Sequence, residues 1–157
     1  MAFAELLRPE YGSAFRVAYA LLHNVDEAED AVQDASFTAW RKLGNVREGR
    51  PLRPWFLAIV ANQCRAANRS RWPSTFSTDR DEVAAATADP AASVDLHRAL
   101  ARLGHDERLV LVLRYYLDMP YEEIAGVLGI TAKAARTRVE RALHRMRPSL
   151  QVREALI

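Results

Sequence analysis

The chain has few of the residues that build metal and cofactor centres. Cys64 is its one cysteine, so no internal disulfide can form, and the four histidines lack cysteine or carboxylate partners at metal-binding spacing. There is no glycine-rich phosphate loop, no carboxylate pair in an apolar setting, and no nucleophile with a base at a recognisable spacing. The sequence therefore predicts no metal, no cofactor and no enzyme activity, and Cys64 is expected to be a small helix residue.

Long hydrophobic runs and a leader segment are also missing. No apolar run approaches the ~20 residues that a membrane span needs, and the N-terminus has no basic stretch followed by an apolar core. We therefore expect a cytoplasmic protein without membrane insertion. Half of the 157 residues are hydrophobic, which is enough for a packed core in one ordinary domain or two small ones.

Apolar residues recur at helical spacing along the chain, and no segment sustains the two-residue alternation of a strand. The predicted fold class is therefore all-α. Residues 72–92 contain two prolines, several serines and threonines and an alanine-rich acidic run, which indicates a linker. We expect two small helical domains joined by a flexible linker, the second with a helix-turn-helix. The predicted boundaries are 1–72 for the first domain, 73–92 for the linker, 93–150 for the second domain and 151–157 for a tail.

The last third of the chain predicts two short helices joined by a tight turn. Pro120 can begin the first helix without losing a needed N–H, Gly129 can end it in the left-handed conformation, Thr131 can cap the second helix, and Pro148 closes it. The buried side of the second helix is Ala135, Val139, Ala142 and Met146. Its basic residues, which project elsewhere, include Lys133, Arg136, Arg141 and Arg145. Cations on a helix held by a tight turn suit the major groove, so DNA binding is the leading function.

Other helices are predicted ahead of this motif. The first begins at the N-terminus or after Pro9. A second is capped by Asp26, with a carboxylate three residues later completing a capping box, and it ends near residue 44. A third opens at Pro54 and runs to about residue 71. A later helix is capped by Asp106 and turns Tyr116 inward with the apolar residues that precede it.

Charge is segregated along the chain although the net charge is only +2. Residues 47–72 carry six arginines against one glutamate, and residues 131–157 carry seven basic residues against two acidic ones. Residues 25–35 carry five acidic residues and no basic one. Two basic segments and one acidic segment indicate separate surfaces for separate partners.

The order of these segments resembles the bacterial RNA polymerase sigma factors of the extracytoplasmic-function (ECF) type. Residues 26–40, DEAEDAVQDASFTAW, resemble the core-polymerase-binding helix of that family. Residues 54–71, PWFLAIVANQCRAANRSR, resemble its promoter-melting helix, and residues 121–130, YEEIAGVLGI, resemble the entry to its helix-turn-helix. The resemblance implies an alternative sigma factor that binds core RNA polymerase and directs promoter-specific transcription initiation. The residues leave open a stand-alone helix-turn-helix transcriptional regulator, which would account for the C-terminal half alone.

The family resemblance implies a role for the polar face of the second helix. That face would meet a coiled coil of the polymerase's largest subunit, where complementary charge would speed docking. From the residues alone, a solvated face is the favoured interpretation. Its members are Asp30, Gln33, Asp34 and Arg41. Phe37 and Trp40 are expected in the core. The second domain would contact the second large subunit, and an anti-sigma factor is a further implied partner.

The resemblance also implies two DNA surfaces. Captured single strands need aromatic or amide groups for bases and cations for phosphates, and the third helix offers Trp55, Asn62, Arg65, Asn68 and Arg69 to the minus-ten element. The loop 44–53 would hold a flipped base. At the minus-thirty-five element, the expected base-edge contacts are Lys133, Arg136, Thr137 and Arg141. Arg138 and Arg145 are expected on phosphates.

Overall fold

The computed structural model describes residues 3–45, 49–70 and 98–155. Within these ranges the ordered elements are helical and no strand occurs, which confirms the all-α prediction. The helices are α1 (Phe3–Leu22), α2 (Val25–Lys42), α3 (Leu52–Ser70), α4 (His105–Leu111), α5 (Tyr121–Leu128) and α6 (Ala132–Ala155). A 3₁₀ turn, Leu43–Asn45, follows α2, and a π-helical turn, Val112–Tyr116, continues α4. The predicted linker lies outside the described residues.

Helix α1 begins where one of the two predictions placed it, whereas α2 has a different cap from the predicted one. Helix α1 starts near the N-terminus and includes Pro9. The predicted cap of α2 at Asp26 is wrong, because Asn24 holds the extended backbone and its side chain accepts a 3.0 Å hydrogen bond from the Glu27 N–H. His23 has a positive φ of 52°, which ends α1. Asn24 then caps α2, whose first residue is Val25.

The expectations at α4 need two corrections. Gly104, not Asp106, occupies the N-cap position, in extended backbone geometry, and Asp106 lies in the first turn, where its carboxylate pairs with Arg65 of α3. Tyr116 is not inward but 59% exposed. The π-helical turn adds a residue to the helical register at that point, with the Leu117 N–H donating to the Val112 carbonyl, and this rotates the tyrosine outward.

Prolines mark helix ends less closely than predicted. Helix α3 begins at Leu52, and Pro54 lies in its first turn, where a missing N–H removes no intrahelical hydrogen bond. Pro148 does not close α6, because the helical backbone continues to Ala155. An interior proline removes one hydrogen bond, at about 3 kcal/mol, and the remaining turns of this long helix continue on either side.

The first three helices pack around a stripe of small residues on α2. Its buried members are Ala28, Val32, Ala35 and Ala39. Helix α3 contributes Phe56, Leu57 and Val60, and Cys64 lies in the same core. Burial raises the pKa of the Cys64 thiol to about 12, so this cysteine is a packing residue, as expected.

The helix-turn-helix forms as the sequence predicts. Gly129 ends α5 in the left-handed conformation, at φ 68° and ψ 36°. The Thr131 hydroxyl accepts a 3.1 Å hydrogen bond from the Ala134 N–H and thereby caps α6. The four predicted inward residues of α6 are all buried: Ala135, Val139, Ala142 and Met146. Helix α6 therefore holds five basic side chains away from the core: Lys133, Arg136, Arg138, Arg141 and Arg145.

Within residues 3–45, 49–70 and 98–155, two features are absent. Among those residues, no helix is both long and apolar enough to cross a membrane. The same part of the chain contains no group of three or more histidine, cysteine or acidic side chains that could hold a metal ion.

Candidate nucleic-acid and protein interfaces

The outward side of α6 brings together most of the predicted minus-thirty-five residues. Lys133, Thr137, Arg138 and Arg141 line one shallow cleft of about 350 Å³, together with Thr131 and Ala134. Thr137 is not a free hydroxyl, because its Oγ1 donates to the Lys133 carbonyl at 3.1 Å. This cleft presents three cations to a ligand approaching α6.

Arg136 and Arg145 lie beside that cleft and already have partners. The Arg136 guanidinium contacts the Glu140 carboxylate at 3.2 Å across one helical turn, and both side chains are well exposed. Arg145 pairs with Glu107 of α4. Exposed pairs of this kind contribute little to stability, so Arg136 can exchange its carboxylate for a base edge at small cost. The Arg145 pair links α6 to α4.

The predicted minus-ten residues of α3 share one side of that helix. Asn62, Arg65 and Arg69 follow at helical spacing, and Asn62 and Arg69 are exposed. Arg65, Asn68 and Arg69 line a cleft of about 420 Å³ together with His105 of α4. The Asn68 amide donates to the Leu21 carbonyl at 3.4 Å. Trp55 is half-buried against the core, which leaves part of its ring accessible. Residues 46–48 of the predicted base-holding loop lie outside the described ranges.

The outer face of α2 differs from the expectation in its aromatic content. Asp30, Gln33, Asp34 and Arg41 are exposed as predicted. The prediction that Phe37 and Trp40 belong to the core is wrong, because they are 67% and 63% exposed. Phe37 follows the predicted acidic face at helical spacing and therefore lies within it. The alanine-rich stripe on the opposite side of α2 fills the core without either ring. The sequence positions of Phe37 and Trp40 fall off the helical spacing of that stripe, and this was the signal available in the sequence.

Arg108 is a further organising residue that the sequence did not indicate. Its guanidinium donates to three main-chain carbonyls: Leu100 at 3.1 Å, Leu103 at 3.2 Å and Leu21 at 3.0 Å. Burial lowers the pKa of this guanidinium. The Leu21 carbonyl belongs to the last turn of α1, where carbonyls lack helical partners and carry the negative end of the helix dipole. A half-buried cation of the C-terminal half therefore binds the end of a helix in the N-terminal half.

Comparisons with known proteins match both halves. The family model "Sigma-70 region 2" matches residues 6–73, and "Sigma-70, region 4" matches residues 93–146. The RNA polymerase sigma factor CarQ of Myxococcus xanthus is 31% identical over 136 residues, which covers 83% of this chain and 78% of CarQ. The chain belongs to the ECF sigma factors. The ECF RNA polymerase sigma factor SigM of Mycobacterium tuberculosis is 29% identical over 147 residues, covering 92% of this chain and 75% of SigM.

Two solved structures share this fold over nearly the whole chain. The sigma factor RpoE of Bartonella quintana, solved with the anti-sigma factor NepR, superposes with a TM-score of 0.72 at 26% identity, covering 96% of this chain and 97% of that one. CnrH, solved with the cytosolic domain of CnrY, gives a TM-score of 0.74 at 25% identity, covering 96% and 88%. Because region 2 is matched as well as region 4, a sigma factor that directs promoter-specific initiation is favoured over the stand-alone helix-turn-helix regulator.

Proposed function

We propose that this sigma factor works by recruitment, with the outer face of α2 as its docking surface on core RNA polymerase. The observation that carries this proposal is the exposure of Phe37 and Trp40 among the acidic residues of that face. Tryptophan is enriched among the residues that dominate binding energy at protein interfaces, and surrounding charges orient the encounter. The expected partner is a coiled coil of the polymerase's largest subunit, and the C-terminal half contacts the second large subunit.

Docking places two DNA surfaces on the promoter. In this proposal Lys133, Thr137 and Arg141, in the α6 cleft, and the neighbouring Arg136 meet base edges of the minus-thirty-five element, while Arg138 and Arg145 meet phosphates. On α3 the amide and cationic side chains hold melted minus-ten strand, with Trp55 as a stacking surface. The site residues proposed there are Trp55, Asn62, Arg65, Asn68 and Arg69. The protein contributes binding and no catalytic chemistry, and it acts in the cytoplasm beside the polymerase.

An anti-sigma factor is the proposed regulatory partner. The solved RpoE structure contains the anti-sigma factor NepR, and the CnrH structure contains the cytosolic domain of CnrY. By analogy, a partner protein would cover the polymerase and promoter surfaces of this chain until an inducing signal removes it.

A titration with sigma-free bacterial core RNA polymerase tests the recruitment proposal. This protein, labelled with a fluorophore, is followed by fluorescence anisotropy as polymerase is added. We expect saturable one-to-one binding. Absence of binding by folded protein that carries no inhibitor would contradict the proposal. Asp34→Arg should abolish binding to core polymerase. Glu5→Arg, the same charge reversal on an exposed α1 position, should bind like the parent.

A further inference from the structure

The two halves of the chain contact each other directly. Helix α3 packs along α5, and α1 contacts α4 and the π-helical turn. The Arg16 guanidinium lies 5.9 Å from the centre of the Tyr116 ring, so the exposed tyrosine of that turn faces α1. These contacts join the region 2 half to the region 4 half without any second protein.

The contact is specific, because a half-buried charged group depends on it. Arg108 uses Nε and Nη2 on carbonyls of its own half and Nη1 on the Leu21 carbonyl of the other half. Separation of the halves would remove the partner of Nη1, and a partly desolvated charged donor that loses its acceptor is destabilising unless water replaces it. Arg108 therefore acts as a latch between α4 and the end of α1.

The contact also engages residues proposed for the minus-ten strand. Arg65 is paired with Asp106 in the first turn of α4, and His105 of that turn forms one wall of the cleft that Arg65, Asn68 and Arg69 share. The Asp106 carboxylate competes with a phosphate for this guanidinium, and the cleft wall restricts the approach of a strand. Docking thus occupies part of the α3 surface.

A glycine lies where α5 packs on α3. A Cβ atom added to Gly126 of α5 would lie 3.3 Å from the Pro54 Cβ of α3. Glycine inside a helix costs about 1 kcal/mol relative to alanine, so the sequence keeps an unfavourable residue where a side chain would meet the other half. Gly12 in α1 offers the comparison, because a Cβ added there meets nothing within 4 Å.

We propose that the free protein is autoinhibited by its own docked halves, with Arg108 and the Gly126–Pro54 contact holding α4 and α5 over the strand-capture surface of α3. The effect on strand capture rests on the function proposed above, whereas the docking itself does not. Strand capture must then draw on the open form, so the apparent affinity for single-stranded DNA is reduced by the open fraction.

Paired fluorophores on the full chain test the docking. Cysteines introduced at Glu29 on α2 and His144 on α6, both exposed and without an assigned role, can be labelled selectively because Cys64 is buried and its pKa is raised to about 12. Gly126→Gln adds a side chain at the contact, and Gly12→Gln adds the same side chain in open space. Glutamine is a better helix former than glycine, so neither helix is weakened. Circular dichroism checks that both variants are folded.

We expect lower energy transfer for Gly126→Gln and parent-like transfer for Gly12→Gln. A fluorescein-labelled dT20 strand should bind Gly126→Gln more tightly, by roughly tenfold if the closed form outnumbers the open one tenfold, and Gly12→Gln like the parent. Parent-like energy transfer in Gly126→Gln would overturn the docking. Lower transfer without tighter dT20 binding would overturn the occlusion. Neither readout uses polymerase, so failure of the polymerase titration contradicts recruitment and leaves the docking result intact.

Discussion

Helices α2 and α3 carry the two surfaces proposed for the N-terminal half, and they differ in what already contacts them. The outer face of α2 exposes two aromatic rings among acidic residues, whereas Arg65 of α3 is paired with Asp106 and Asn68 donates to the Leu21 carbonyl. One surface can bind a partner without rearrangement, and the other must first release the C-terminal half. The difference indicates an order of events in which polymerase docking precedes strand capture.

Removal of an aromatic anchor from α2 should have the largest effect. Trp40→Ala is expected to weaken core polymerase binding by about 2 kcal/mol or more, as for hot-spot residues, which is roughly 30-fold in Kd. Anisotropy titration measures the change. Tyr11→Ala, an exposed aromatic on α1 with no assigned role, is the control and should bind like the parent. If the two variants bind equally well, the aromatic rings of α2 are not the docking surface.

Arg136→Ala addresses the surface that lies on neither of these helices. If Arg136 contacts a base, its loss should weaken promoter use by about 1–3 kcal/mol and leave polymerase binding unchanged. Promoter-dependent transcription and the polymerase titration separate the two effects. A parallel loss of polymerase binding would place Arg136 in the polymerase interface instead.

Loss of the cap at the start of α6 should have a smaller effect, on stability. Thr131→Ala removes the hydroxyl that caps the Ala134 N–H and should lower the free energy of unfolding by about 1 kcal/mol. Thr137→Ala is the matched control, because its hydroxyl only donates back to the Lys133 carbonyl within the helix and alanine is the better helix former. Thermal unfolding followed by circular dichroism should show a loss for the first variant and none for the second.

Local patterns in the sequence predicted the helices and the turn chemistry well, since both depend on neighbouring residues. Gly129 and Thr131 have the predicted geometry, and the predicted inward stripe of α6 is buried. Helix starts at Asn24 and Gly104 were missed because several residues near each start can act as caps, and the neighbouring backbone geometry decides among them. Hydrophobicity alone placed Phe37 in the core, whereas its position on the helix places it outside.

What the sequence did not indicate is the contact between distant segments. Arg108 binds the Leu21 carbonyl across the two halves, and Gly126 approaches Pro54. Neither pairing has a local signal, because an arginine or a glycine in a helix is compatible with many environments. That the C-terminal half contacts α3 is therefore seen only in the three-dimensional structure. The aromatic face of α2, in contrast, follows from the helical spacing of Phe37 and Trp40.

Acidification should weaken the docking of the C-terminal half on α3 and leave the α2 face unaffected. This is the smallest of the expected effects. The pKa of His105 is lowered, first by burial and then by the positive charges of Arg65 and Arg108, against the opposing effects of Asp106 and the Ala61 carbonyl. Arg69 lines the same cleft and adds to the positive surroundings. Docked halves therefore favour the neutral ring.

The sign of the effect follows from this pKa change. Above pH 6.5 the ring is neutral in both forms and docking is undiminished. As pH falls below 6.5, the open form takes up a proton that the docked form resists, so docking weakens until the pH has passed the lowered pKa. Energy transfer between the labels on α2 and α6 should therefore decline with falling pH. In His105→Gln this decline should disappear, because glutamine cannot titrate. Persistence of the full decline would show that other groups cause it and that His105 does not control docking.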